Sequence, residues 1–190
     1  MLGWRRRRRA ERERGAVAVE AALVTPILFL LIFGMVEFGM FFKDYLAVGN
    51  SVRAGVRMAS AEPRVGTFAT DAAANVARES SALSMDAVKE LWVYQAAADG
   101  TPVGGNNGFG ACTECVKFTW DSATKAFKVR SDTWKNTEHN ACQGDPGRMN
   151  VGVYMRYEHP SVTKFIFDTV AIADHAVMSF EPIPLTRGCK

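Results

Sequence analysis

From residue 16 to residue 42 the chain is apolar, interrupted by Glu20, Thr25, Pro26 and Glu37. No polar side recurs with a helical or strand period, so the segment reads as a helix with apolar surroundings on every face. Sixteen residues, 21–36, separate the two acids. They make about 24 Å of helix, and the apolar flanks bring the run to the length that crosses a hydrocarbon core. The acids are then expected near opposite interfaces. Pro26 removes a helical hydrogen bond and predicts a kink.

Beyond Lys43 the pattern turns one-sided. Tyr45, Val48, Val52, Val56 and Ala59 recur at spacings of three and four and predict a buried face, with Lys43, Asn50, Arg53, Arg57 and Ser60 on the solvated side. A single helix over residues 16–61, about 69 Å long, would leave lipid near Lys43 and dock on a soluble domain. Residues 62–66 break it. A second helix is expected over residues 70–83, capped by Thr70 or Asp71, with Ala72, Ala73, Val76 and Leu83 inward. Period-two alternation predicts strands over 88–96, 116–120, 127–130, 151–157 and 170–180, the second and third joined as a hairpin. The Gly- and Asn-rich stretch 100–110 reads as a loop. The fold class is α+β: a long amino-terminal transmembrane helix extends into an extracytoplasmic domain. That domain has a second helix and an antiparallel sheet of four to five strands packed on the outer half of the first.

Charge sets the orientation. The chain of 190 residues has a net charge of +3, yet residues 1–15 alone hold seven Arg against two Glu. The rest is mildly acidic. Arg5, Arg6, Arg7, Arg8 and Arg9, placed just before a bilayer-length apolar run, act as a topology signal that holds the amino end in the cytoplasm. A nucleic-acid role for these arginines is set aside on the same ground. The run also exceeds the 7–15 apolar residues of a cleavable secretory signal. The expected organisation is a basic cytoplasmic leader (1–15), a transmembrane helix (16–42), its amphipathic extension (43–61) and an extracytoplasmic domain (62–190).

Cys112, Cys115, Cys142 and Cys189 all follow the apolar run, on the side where disulfides persist. Four cysteines allow three complete pairings. The expectation joins Cys142 to Cys115 or Cys112, with Cys189 taking the remaining partner or staying free. A zinc set of Cys112, Cys115, Cys142 and His139 is the rival, disfavoured by the oxidising compartment and the Gly-rich setting. His139, His159 and His175 are scattered, and no nucleophile elbow, phosphate loop or paired-carboxylate motif appears. The reading is therefore no enzyme, no cofactor and no metal.

The stretch Arg14-Gly15-Ala16-Val17-Ala18-Val19-Glu20-Ala21-Ala22-Leu23-Val24-Thr25-Pro26 resembles the amino-terminal motif of TadE-like proteins, pseudopilins of tight-adherence (Flp, type IVb) pilus systems. The likeness continues through Glu37-Phe38-Gly39 and through residues 50–59. It implies a pilin-like fold and cleavage by a prepilin peptidase between Gly15 and Ala16, which makes Glu20 the fifth mature residue. The freed amino group of Ala16 would then pair with Glu20 of its own or a neighbouring chain, offsetting the cost of a carboxylate in lipid. Ala21 stands where the major Flp pilins have Tyr, which implies a minor pseudopilin. Its partners would be the peptidase, other pilin-like subunits, the assembly machinery and the bilayer. Pro26 and Glu37 would be secondary features of the span. The alternative is an uncleaved single-pass anchor that presents a non-enzymatic binding domain.

Overall fold

The computed structural model describes residues 3–106, 108–164 and 167–189, with side chains described from Gly15 onward. One helix, α1 (Gly3–Ala61), carries 59 residues without a break and passes through Pro26. The side chains of Arg5, Arg6, Arg7, Arg8 and Arg9 lie outside the described part. Within α1, the stretch Gly15–Ala61 is long and apolar enough to cross a membrane.

A short helix, α2 (Phe68–Glu79), and strands β1 (Val88–Ala96), β2 (Cys115–Asp121), β3 (Ala126–Asp132), β4 (Asn150–Pro160) and β5 (Thr169–Ser179) follow. The strands form one antiparallel sheet in the order β3-β2-β1-β4-β5. The α+β class and the five strands agree with the alternation in the sequence. The β2–β3 hairpin turns because Asp121 Oδ1 accepts from Ala123 N at 2.8 Å and Thr124 N at 3.3 Å, the local bond that favours Asp in turns.

Alternation sorts the sheet into two faces. Leu91, Val93, Val116, Phe118, Val151, Val153, Met155 and Tyr157 join Val48, Val52, Val56 and Ala59 of α1 in the main core. Trp92, Tyr94, Cys115 and Tyr154 form a smaller cluster on the outer face. Two helix-face expectations fail. Tyr45 is 49 % exposed, and the neighbouring Asp44 takes the inward position. Ser60, expected in solvent, is buried; its hydroxyl donates to Arg57 O at 2.9 Å and its carbonyl accepts from Glu181 N at 2.8 Å.

The second helix also begins earlier than Thr70 or Asp71. Thr67 precedes it without a side-chain cap, Thr70 Oγ1 donates back to Thr67 O at 2.7 Å, and the helix ends at Glu79. Phe68 is drawn into the helix because its ring packs on Trp134 and His139. Ala72, Ala73, Val76 and Leu83 are buried as expected.

Gly55 permits the close crossing of the two helices. A Cβ there would lie 2.5 Å from Val76 Cγ2 and 3.4 Å from Ala72 O. Val76 is β-branched and cannot swing away. Gly55→Val is therefore expected to destabilise the domain by about 1–3 kcal/mol through overpacking. Urea unfolding against the unaltered chain measures this; an unchanged midpoint would contradict the packing.

The link after α1 is tied to the segment after β3. Arg64 Nη1 donates to His139 O at 2.9 Å and Asn136 Nδ2 donates to Arg64 O at 2.8 Å. His139 Nδ1 donates to Pro63 O, and the ring is enclosed by Phe68, Trp134 and Phe180. Burial lowers its pKa to about 4, only partly opposed by the Pro63 bond and assisted by Arg64. The unfolded chain takes up this proton near 6.5, well before the folded one does. Stability contributed by neutral His139 is thus complete above 6.5 and lost as pH falls towards 4, by at most about 3 kcal/mol. Thermal melts across that window should show the slope, and His139→Asn, which keeps a donor but not the titration, should flatten it.

Candidate functional site

Two groups of residues, each built around an acid, stand out on the apolar surface of α1. The first is the amino-terminal set. Gly15, Ala16 and Glu20 lie on an exposed helical stretch, and a Cβ on Gly15 would meet nothing within 4 Å. Ala16 and Glu20 are four residues apart, so they share one face. Pro26 is likewise exposed and inside the helix.

The second set lies where the sheet meets α1. Glu37 is fully buried, although residues around it, Phe38 among them, are exposed. Its carboxylate accepts from Val162 N at 3.1 Å, Thr163 N at 3.0 Å and Thr163 Oγ1 at 3.0 Å. The Ser161 side chain adds a further bond. All of these donors belong to the β4–β5 loop, which Ser161 N closes onto Asp168 O at 3.0 Å.

Two turns further along, Asp44 Oδ2 accepts from His159 Nδ1 at 2.8 Å and from the Tyr157 hydroxyl at 3.2 Å. Lys43 Nζ lies 3.0 Å from Asp44 Oδ1 and donates to Ala82 O at 3.2 Å. His159 Nε2 faces Glu37 Oε1 at 4.0 Å, so the imidazole stands between the two carboxylates. Phe41 packs edge-on against the same ring. Burial, then the Asp44 charge, push the Tyr157 phenol up to about 12, so it remains a donor. Buried hydrogen-bonded networks of this kind rigidify the elements that they join. The cluster is a clamp, joining α1 to β4 and its following loop.

Sequence reading placed Glu37 at an interface and treated His159 as isolated. The helix stripe held the missing signal. Glu37, Asp44, Val48 and Val52 fall at spacings of seven and four, one continuous face, so the acids line up with the buried valines. The partners, more than a hundred residues away, left no local mark.

The cysteines pair differently from the expectation. Cys112 bonds Cys115, and Cys142 bonds Cys189. Cys115 belongs to the outer-face cluster, whereas Cys142 runs beside Ile183 in a parallel bridge. The sheet separates Cys112 and Cys115 from Cys142, and the 181–189 segment brings Cys189 to it, with Ala141 N donating to Cys189 O at 3.1 Å.

An exposed, apolar helical run with one acid near its start, continuing into a helix that carries the domain's buried face, is the decisive arrangement. Residues 15–57 match the TadE-like protein family. That family is associated with the tight-adherence pilus and is structural, not enzymatic. No curated protein and no solved structure matches the chain. The TadE-like segment contains Gly15, Ala16, Glu20, Glu37 and Asp44 and nearly all of the part of α1 whose side chains are described; His159, Tyr157 and the four cysteines lie beyond it.

Proposed function

We propose that the protein is a minor pseudopilin of a tight-adherence (type IVb) pilus or a related secretion apparatus. A prepilin peptidase cuts it after Gly15, and the outer domain faces away from the cytoplasm. The observation that carries this reading is the TadE-like segment lying on a helix that passes unbroken from bilayer-length apolar surface into the core of the domain. Such a helix serves a fibre subunit: its amino-terminal half packs among neighbouring helices while its other half holds the domain. An apolar groove beside Gly34, Phe38 and Gly39 offers close approach to another helix.

The Gly15–Ala16 bond suits the cut. Glycine weakens the helix there by about 1 kcal/mol relative to Ala and leaves the extended backbone unhindered. The new amino group of Ala16 then starts one turn from Glu20.

Co-expression with a prepilin peptidase, followed by amino-terminal sequencing, tests the proposal. A chain starting at Ala16 is expected, together with loss of the cut in Gly15→Leu. An intact basic segment in the presence of the peptidase would leave an uncleaved single-pass anchor instead.

A further inference from the structure

We propose that residues 161–164, at the start of the β4–β5 loop, dip beneath the outer headgroup layer of the bilayer beside α1, with Val162 against lipid. The inference rests on reading α1 as membrane-spanning.

Glu37 is the starting point. Its charge is satisfied by protein donors, so it does not mark where the apolar surface must end. On the other faces of the helix that surface continues: Phe38, Phe42 and Leu46 are 51 %, 59 % and 61 % exposed. Counting from the residue after Glu20 to Phe42 gives about 33 Å of helix, close to the thickness of a hydrocarbon core. The outer boundary therefore falls near Lys43. Glu37 lies about 9 Å below it, and each headgroup layer is only about 5–7 Å deep. A loop held on Glu37 cannot remain in bulk water.

The loop is built for that position. Irregular backbone is tolerated at membrane depth only when its polar groups are satisfied within the protein. Among the described residues of the loop, four consecutive amides have such partners: Ser161 N bonds Asp168 O at 3.0 Å, Val162 N and Thr163 N bond Glu37, and Lys164 N bonds Ser161 Oγ at 2.8 Å. Val162, with its amide turned to Glu37, leaves its side chain 60 % exposed. Lys164 is exposed as well, and its long stem lets the ammonium reach back to the headgroups.

The full chain, labelled with nitrobenzoxadiazole at Val162→Cys, tests the assignment in vesicles of phosphatidylethanolamine and phosphatidylglycerol containing acyl-brominated lipid. Leu30→Cys and Ala123→Cys provide the deep and water-facing references. The Val162 probe should be quenched by brominated lipid and shielded from aqueous iodide, with Ala123 the reverse. Glu37→Ala should return the Val162 probe to iodide while Leu30 stays in lipid. If Leu30 is quenched and Val162 behaves like Ala123, the loop assignment is overturned and the membrane span survives. Shielding from iodide without lipid quenching would mean that a protein neighbour covers the loop, which also overturns it. Failure of Leu30 to be quenched would remove the membrane reading and this inference together.

Discussion

Removal of the Cys142–Cys189 bond is expected to cost the domain that follows α1 about 4 kcal/mol, against about 2 kcal/mol for Cys112–Cys115. The difference follows from loop length, since the bonded cysteines are 47 positions apart in the first case and 3 in the second. In the chain-entropy account, the longer closure restricts the unfolded chain more. The native surroundings point the same way. Cys142 and Cys189 are both buried, Ile183 N donates to Ala141 O at 2.7 Å, and Gln143 N donates to Ile183 O at 3.0 Å. The 181–189 segment is thus laid along residues 140–143 and fastened there. Its base is Phe180, stacked on His139. Equilibrium unfolding of the double Ser variants in detergent would measure both costs. Equal losses, or a larger loss for the short bond, would refute the ranking.

Glu37→Ala is expected to accelerate amide exchange at Val162 and Thr163 on the order of a hundredfold, since each loses a charged acceptor. Amides within β1 should be unaffected, because their partners lie on β2 and β4. Glu37→Gln keeps one carbonyl acceptor and should fall between the two. Uniform acceleration across the domain would mean that Glu37 supports the whole fold rather than the clamp. No change at Val162 would mean that the loop is held by other contacts.

The parts of this fold that were legible in the sequence are those in which one residue's environment repeats along the chain. The strands appeared because Val151, Val153, Met155 and Tyr157 recur at every second position, and the register then aligned Val153 with Val93 and Leu91 with Phe118. The apolar half of α1 was equally plain. The helix face was misread by one position, because a 3.6-residue period cannot by itself separate Tyr45 from Asp44. An acid moves inward only when Tyr157 and His159 are present to receive it. The disulfide pairing failed for a related reason. Spacing brought Cys142 near Cys115 in sequence, but the sheet divides them and the carboxy-terminal segment supplies the partner. The start of α2 was hidden because no side chain caps it; the aromatic cluster around Phe68 fixes it instead.

The unbroken course of α1 also makes it a lever. From Lys43 to Ala61 the helix rises about 28 Å inside the domain, with no linker to absorb rotation. A tilt of about 20°, typical of membrane helices, would carry the far end sideways by about 10 Å. Any change of that tilt would thus be read out as a lateral displacement of the segment around Pro63 and His139.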